Sequence, residues 1–252
     1  GPNRFGFGLF TVEREQIEDA EVAVYAAHGP TGAARGPFPA GVEPLTTEPA
    51  FVAESTAADP DAAIVLYVSR LRLPAKGEWR LLAVVRDEDG ELRATRMPSI
   101  DVQDYARIPA PGEPAPSVHT PTVDDVSSLS EIDTRVPPDT MHEVDLADAL
   151  GDRATVLLFA TPALCQSRVC GPVVDIAEQV HRDYGDEDVA FIHMEVYNDN
   201  AVENGIRAQL EAFALPTEPW LFVVDERGMV TTAIEGGFSV AELSSAVESA
   251  LR

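Results

Sequence analysis

A proline-dense stretch divides this chain of 252 residues into two parts with different patterns. Seven prolines fall between residues 108 and 138, at Pro109, Pro111, Pro114, Pro116, Pro121, Pro137 and Pro138. Proline at this density resists both helix and inner strand, and is typical of a semi-rigid linker. Because linkers mark domain boundaries, we predict two domains, at residues 4–107 and 139–252, joined by a linker at residues 108–138.

The residues before the prolines have a β pattern. Short apolar segments follow one another without a helical period, at residues 4–12, 21–25, 63–73, 78–86 and 91–95. The sequence Asp87-Glu88-Asp89-Gly90 predicts a hairpin turn between the last two. Strands at this spacing predict an all-β, immunoglobulin-like sandwich. Residues 28–61, rich in Pro, Gly and Ala, are predicted to form long loops, and this half shows no constellation of catalytic residues.

The residues after the prolines alternate between strand and helix patterns, which predicts an α/β domain. A continuous apolar run at residues 155–160 predicts a strand that is buried on both faces. Helical spacing of apolar residues follows at residues 171–184. Further strands are predicted at 189–194, 220–224 and 229–234, and further helices at 201–215 and from Ser239 onward. The predicted order is β-α-β-α-β-β-α.

The charge of the chain excludes two classes of partner. Lys and Arg number 18 against 43 Asp and Glu, which gives a formal net charge of −25. Nucleic acids and anionic membranes are bound by basic surfaces, so we predict no nucleic-acid partner. No run of about 18 apolar residues occurs, which predicts no membrane insertion of these residues. The first residues, Gly1-Pro2-Asn3, resemble the remnant of a protease cleavage, so we expect that any signal peptide or anchor has been removed.

The two cysteines, Cys165 and Cys170, fall between the first strand and the first helix of the α/β part. Two cysteines are too few for a disulfide-rich scaffold or a four-cysteine zinc site. Cys170 precedes Gly171-Pro172, and proline suits the first turn of a helix. Backbone N–H groups at a helix N-terminus stabilise a thiolate and lower the pKa of a cysteine. A redox pair, a structural disulfide and part of a metal site all remain open.

In this setting residues 137–252 resemble the thioredoxin superfamily. The resemblance rests on the element order, on the cysteines at the first strand–helix junction, and on Pro219 at the head of the third strand. The segment from Pro137 to Thr161 is similar to the entry region of extracytoplasmic ResA/TlpA-type thioredoxins and of peroxiredoxins. The resemblance implies a thioredoxin fold and thiol-disulfide exchange with protein partners outside the cytoplasm. It also implies that Pro219 is a cis-proline facing the cysteines; we predict no cofactor and no metal.

The cysteine spacing departs from that of thioredoxin. The familiar Cys-Gly-Pro-Cys becomes Cys170-Gly171-Pro172-Val173, so Cys165 has to act as the resolving thiol. We predict Cys170 as the nucleophile, for its position at the helix end; a peroxiredoxin-like alignment reverses the two roles. Glu218, directly before Pro219, is predicted to face the sulfurs. A carboxylate there would raise the pKa of a thiol or accept a proton from the resolving thiol.

Three other functions remain as alternatives. One is a peroxiredoxin-like thiol peroxidase, although the arginine that such enzymes place near the third strand has no match beside Trp220. Another is a non-catalytic binding or scaffold protein with a structural disulfide. The third is a Sco-like copper chaperone that binds Cu(I) through both cysteines and His193. A strand histidine is more often hydrogen-bonded in the core, and Glu195 is expected near the rim of the cysteine site.

Overall fold

The structure, a computed structural model, describes residues 2–86, 89–103, 107–165, 167–185 and 189–252. The chain divides into two units. The first consists of Gly1–Glu43 and Val65–Ala106, and the second of Pro44–Ile64 and Arg107–Arg252. These units differ from the predicted domains in two places. Residues 44–64 group with the second unit, and so do residues 108–138, which the sequence predicted as a linker.

The first unit is built from six strands. They are β1 (Pro2–Phe7), β2 (Glu21–His28), β3 (Ala34–Pro44), β4 (Val65–Arg72), β5 (Gly77–Arg86) and β6 (Leu92–Val102). Their order in the sheet is β1-β4-β3-β2-β5-β6. Along β2 every second residue is buried, from Val22 through Val24 to Ala26, as strand alternation requires. Trp79 and Leu81 of β5 face the same core.

The prediction of an all-β unit is confirmed, but the immunoglobulin-like sandwich is not found among the described residues. A sandwich needs two sheets packed face to face, whereas these strands are hydrogen-bonded into a single sheet. Hydrophobic alternation indicates which residues face a core, but not which strands pair. The predicted turn includes Asp87 and Glu88, which lie outside the described residues; on either side of it, β5 and β6 pair antiparallel, with Arg86 opposite Leu92.

The second unit has a four-stranded mixed sheet with helices on it. Its strands are β7 (Ala154–Phe159), β8 (Val189–Met194), β9 (Trp220–Val224) and β10 (Val230–Glu235), and its helices are α1 (Glu54–Ala58), α2 (Leu146–Ala149), α3 (Cys170–Tyr184), α4 (Ala208–Ala212) and α5 (Val240–Ala250). The sheet order is β10-β9-β7-β8, with β7 parallel to β8 and antiparallel to β9. From β7 onward the elements follow the predicted order, β-α-β-α-β-β-α.

The core of this unit explains why the apolar runs became strands. Every residue of β7, β8 and β9 is buried. Side chains of a strand alternate between its two faces, so a strand buried throughout is covered on both sides. Leu157 and Phe159 pack with Phe213, just after α4, while α3 packs against α5. No helix among the described residues is both long and apolar enough to cross a membrane.

The proline-dense residues pack onto the core of this unit. Ile108, Ala115 and Val118 contact its apolar cluster. The N–H of Gly112 donates to the carbonyl of Val230 at 2.8 Å, and the N–H of Val230 donates to the carbonyl of Glu113 at 2.9 Å. The stretch therefore runs along β10, which is compatible with the missing N–H groups of its prolines.

Candidate functional site

Cys165 and Cys170 are joined in a disulfide, with their Cα atoms 6.1 Å apart. Cys170 is the first residue of α3 and is completely buried. Cys165 lies in the loop between β7 and α3 and is half-buried. The structure thus brings together the two cysteines at the predicted junction. Gln166, between them, lies outside the described residues.

The N-terminus of α3 favours a thiolate at Cys170 in the reduced protein. The helix is 15 residues long, and its first turn contains no acidic residue. Unpaired backbone N–H groups at this end carry partial positive charge, which stabilises an anion within the first turn. A cysteine in this position is a good leaving group when a disulfide is attacked.

Ser167 also contacts both sulfurs, and sequence reasoning missed it. Its Oγ is 3.0 Å from Sγ of Cys165 and 3.7 Å from Sγ of Cys170. Because neither disulfide sulfur carries a proton, the hydroxyl is the donor in these contacts. Its position between the two cysteines was the sequence feature that could have indicated this contact.

Glu218 lies in the connection between α4 and β9 and faces the disulfide. One of its carboxylate oxygens lies within 4.8 Å of both sulfurs. The Glu218–Pro219 peptide bond is cis, as the resemblance implied. Burial, with a smaller contribution from the charge of Glu195, raises the pKa of Glu218 to about 7. Near neutral pH this carboxyl group is therefore close to half protonated, beside the sulfurs.

Glu195 forms a second buried carboxylate near Glu218. Its Oε1 accepts hydrogen bonds from the backbone N–H and from the hydroxyl of Thr134, both at 2.7 Å. The same hydroxyl oxygen accepts from the N–H of Ala163, which lies in the cysteine loop, at 3.1 Å. Within the described part of the chain, Oε2 of Glu195 and Oε2 of Glu218 have no hydrogen-bond partner. Glu195, expected near the rim of the cysteine site, is itself buried, and its charge acts on Glu218.

Pro44–Ile64, which we call the covering segment, lies against α3 and the cysteine loop. The N–H of Ala53 donates to Oδ2 of Asp175 at 3.1 Å, and the N–H of Ala63 donates to the carbonyl of Arg168 at 2.8 Å. A cavity of about 40 Å³ remains beside Cys165, and its lining includes Ser55, Thr56 and Asp59 of the covering segment. The segment, predicted as a loop, forms one wall of the site.

His193 does not join the cysteines in a copper site. Its Nδ1 is 2.7 Å from Oδ2 of Asp139, and its Nε2 is 3.1 Å from the carbonyl oxygen of Ala160. Both ring nitrogens are therefore engaged away from the sulfurs. The geometry gives no support to the Sco-like alternative, which required this imidazole as a ligand beside two thiolates.

Comparison with known proteins adds little to this geometry. No family model and no curated protein matches the chain. Among solved structures, a thiol:disulfide interchange protein of the thioredoxin family from Chlorobium tepidum TLS is similar, with 22% identity and a TM-score of 0.40 over 57% of this chain and 98% of that one. A thioredoxin-like superfamily protein is similar with 13% identity and a TM-score of 0.37, over 54% of this chain and 95% of that one. At these scores neither likeness carries an argument about function.

Proposed function

We propose that the second unit is a thioredoxin-like oxidoreductase that exchanges disulfides with protein thiols, with Cys165 and Cys170 as its redox pair. The observation that carries this proposal is the position of the disulfide: it ends on the first residue of α3, and the Glu218 carboxylate lies within 4.8 Å of both sulfurs. A disulfide with a purely structural role would stabilise the fold only weakly here. Its cysteines are separated by only 5 positions, and closing so short a loop removes little entropy from the unfolded chain.

The difference in burial supports Cys165 as the sulfur that exchanges with the partner. Cys170 is completely buried, whereas Cys165 is half-buried and lines the small cavity. This assignment reverses the roles predicted from sequence. A partner thiolate attacks Sγ of Cys165 and forms a mixed disulfide, while the Cys165–Cys170 bond breaks and its electron pair leaves with Cys170 as a thiolate.

A second thiolate of the partner completes the exchange. It attacks the partner sulfur of the mixed disulfide, and Cys165 leaves as a thiolate. The partner dithiol has lost two electrons and two protons and become a disulfide, and the cysteine pair has gained both and become a dithiol. In the opposite direction Cys165 attacks a partner disulfide, and Cys170 resolves the mixed disulfide.

Glu218 is suited to move one of these protons. With a pKa of about 7, it can donate a proton to the Cys170 thiolate as the disulfide opens, and accept one when the pair is reoxidised. We assign Pro219, which is buried next to it, the role of positioning this carboxylate and shaping the partner groove. We also propose an extracytoplasmic location, because disulfides of this kind persist in oxidising compartments.

Trapping of a mixed disulfide tests the proposal. The chain has only two cysteines, so each single variant leaves one thiol to report on. Reduced Cys170→Ser protein, mixed with a peptide that contains one disulfide, is expected to accumulate a covalent adduct on Cys165. The Cys165→Ser protein, with only the buried thiol, is the matched control and is expected to form far less adduct.

The reduction potential of the wild-type pair decides between exchange and a structural bond. It is measured by equilibrating the protein in dithiothreitol or glutathione buffers and alkylating the free thiols. We expect a potential in the range of exchange proteins, roughly −120 to −270 mV. A potential below about −300 mV, together with no adduct on either single variant, contradicts the proposal and indicates a structural disulfide.

A further inference from the structure

Four buried side chains meet near the ends of β7 and β8: Asp133, Asp139, His142 and His193. Each offers one nitrogen or oxygen atom, and these four atoms all lie within 4.8 Å of one another. No side chain in the group is more than 2% exposed. The cluster is separate from the disulfide, and the proposed exchange reaction does not use it.

We propose that these four residues form a closed structural site for a divalent metal ion, with Zn²⁺ as the best fit. Two imidazole nitrogens and two carboxylate oxygens are a donor set that Zn²⁺ accepts in tetrahedral geometry. The nitrogen donors disfavour Mg²⁺ and Ca²⁺, which prefer oxygen ligands throughout. Because all four positions come from the protein and none faces solvent, the site would serve structure and not catalysis.

The hydrogen bond at Nε2 of His193 points to a metal ligand at its other nitrogen. The backbone carbonyl of Ala160 can only accept, so Nε2 carries the proton in this 3.1 Å contact. In the neutral ring this leaves a lone pair on Nδ1, directed at Oδ2 of Asp139 only 2.7 Å away. Two acceptors do not face each other at that distance unless they share a proton or both bind one metal ion. In metal-bound histidines one ring N–H usually donates to a carbonyl or carboxylate, and the lone pair of the other nitrogen binds the metal.

His142 supplies the second, independent observation. Its Nε2 is buried and has no hydrogen-bond partner among the described residues. It lies 3.3 Å from Oδ1 of Asp139 and 3.5 Å from Oδ2 of Asp133, at poor angles for a hydrogen bond. An unsatisfied buried nitrogen costs free energy unless something binds it. An ion between Nε2 and the two carboxylates would satisfy it.

The distances within the cluster suit a tetrahedral ion. Ligands at about 2.0–2.1 Å from Zn²⁺ are separated by roughly 3.3 Å along the edges of a tetrahedron. The shortest contacts between the two imidazole nitrogens and the two carboxylates are 2.7, 3.3, 3.5 and 3.9 Å, and a different oxygen of each carboxylate faces each imidazole. Small side-chain movements would bring the atoms onto one ion.

The carboxylates are also held in place by the backbone around them. Asp133 accepts from the N–H groups of Arg135 and Asp139, each at 2.7 Å, and Asp139 accepts from the N–H of Met141 at 2.9 Å. Such contacts orient metal-binding carboxylates and leave lone pairs for the ion. Two carboxylates, two neutral imidazoles and one divalent cation also sum to zero charge, which removes the cost of an unbalanced buried charge.

The competing explanation is a proton in place of the metal. Without an ion, burial lowers the pKa of His193, but Asp139 more than offsets this and raises it to about 10. His193 would then be a buried imidazolium paired with Asp139. That arrangement leaves Nε2 of His142 without a hydrogen-bond partner among the described residues.

Metal content tests the inference directly. The oxidised wild-type protein, purified without chelators, is expected to contain about one Zn²⁺ per chain. After unfolding with a chelator and refolding with Co²⁺, it is expected to show the visible absorption of a tetrahedral cobalt site. Asp133→Asn and His142→Ala are expected to lose most of the metal, whereas His119→Ala, whose imidazole is exposed and paired with Asp145, should keep it.

Two further measurements make the result independent of folding and of the redox proposal. The Cys165→Ser/Cys170→Ser variant is expected to bind the same one equivalent, which excludes zinc held by thiolates. Nitrogen NMR of the wild-type protein is expected to show no proton on Nδ1 of His193 when zinc is bound. A wild-type protein that takes up no Zn²⁺ or Co²⁺ on refolding, with both ring nitrogens of His193 protonated, overturns the inference even if the cysteine pair exchanges disulfides.

Discussion

Arg135 and Asp175 form a buried ion pair in the second unit. Nε of Arg135 lies 2.9 Å from Oδ1 of Asp175, and the two side chains are only 6% and 2% exposed. Both partners also bind the covering segment: Nη2 of Arg135 donates to the carbonyl of Phe51 at 2.7 Å, and Oδ2 of Asp175 accepts from the N–H of Ala53 at 3.1 Å. One ion pair thus fastens the covering segment to α3, next to the cysteines.

Breaking this pair is expected to destabilise the protein strongly. Arg135→Met leaves Asp175 buried without its counterion, which costs about 3–5 kcal/mol of the free energy of unfolding. Urea unfolding of the full chain measures the change. The looser covering segment is also expected to speed reduction of the disulfide by dithiothreitol.

A surface pair provides the matched control for this variant. Arg182 contacts Glu178 at 3.0 Å but is 56% exposed, so Arg182→Met is expected to cost less than about 1 kcal/mol and to leave the reduction rate unchanged. If Arg135→Met costs no more than Arg182→Met, the pair does not anchor the covering segment.

The position of the cysteine site was predictable because its signals are local. Gly171-Pro172 after Cys170 indicated a helix start, and α3 does begin at Cys170. Ser239 likewise indicated the start of α5, and its Oγ accepts from the N–H of Glu242 at 3.1 Å. These two inferences depended on a few neighbouring residues. The expectation for Glu218 depended instead on the resemblance, which implied that Pro219 faces the cysteines.

The helical spacing of apolar residues gave a wrong prediction where the backbone conformation excludes a continuous helix. Val202, Ile206, Leu210 and Phe213 have helical spacing, yet only Ala208–Ala212 forms an α-helix. Gly205 has a φ of +75°, which ends a short 3₁₀ turn at Val202–Asn204 and excludes a continuous helix. The strand β3 was missed because its prolines and glycines resemble a loop and its residues are mostly exposed, without an alternating apolar pattern.

The contacts that join distant parts of the chain could not be predicted from one sequence. Ala53 and Asp175, which hold the covering segment, are 122 positions apart, and Asp139 and His193 are 54 apart. No spacing rule links such residues. Only the fold brings Asp133, Asp139 and His142 onto the strand histidine, so the histidines showed no shared pattern in the sequence.

A substitution at Gly171 tests how closely the covering segment approaches α3. A Cβ placed on Gly171 would lie 2.9 Å from Oγ1 of Thr56 and 3.6 Å from its Cβ. Gly171→Ala is therefore expected to destabilise by about 1–3 kcal/mol through overpacking. In a Thr56→Ala background the close atom is absent, and the same change is expected to stabilise by up to about 0.5–1 kcal/mol, because alanine suits a helix better than glycine.

Urea unfolding of wild type, Gly171→Ala, Thr56→Ala and the double variant measures this reversal of sign. The double variant is compared with Thr56→Ala, so the effect of Thr56→Ala on the free energy of unfolding cancels. An equal effect of Gly171→Ala in both backgrounds means that Thr56 does not pack on the helix start.

Ser167 is expected to increase the reactivity of the reduced pair. Its hydroxyl, 3.0 Å from Sγ of Cys165 in the disulfide, can donate to a thiolate there and stabilise it. Ser167→Ala is expected to slow alkylation of Cys165 at pH 7 by about three- to tenfold, which corresponds to a loss of roughly 0.7–1.4 kcal/mol for one exposed hydrogen bond. The measurement uses the Cys170→Ser protein, in which only Cys165 reacts.

Ser130→Ala, in another part of the unit, serves as the control. Equal alkylation rates for Ser167→Ala and Ser130→Ala argue against the contact between Ser167 and Cys165.

Glu218 is expected to make the stability of the oxidised protein depend on pH. Its pKa is raised from 4.5 to about 7 in the folded protein, chiefly by burial, so the folded state holds this proton more tightly than the unfolded state. Below pH 4.5 both states are protonated and the contribution to stability is greatest. As the pH rises from 4.5 to about 7, the unfolded state ionises first, and this contribution is lost; above 7 no further loss occurs.

Glu218→Gln removes this ionisation. The free energy of unfolding of the variant is therefore expected to rise relative to that of the wild type between pH 4.5 and 7. Above pH 7 the difference is expected to level off. Urea unfolding of the oxidised proteins across this range measures that difference, which cancels the contributions of all other titrating groups. Glu203→Gln, on an exposed turn, is the control and is expected to show a flat difference. A flat difference for Glu218→Gln as well means that this carboxyl group ionises at its ordinary pKa, and it could not then supply a proton to the cysteine pair near neutral pH.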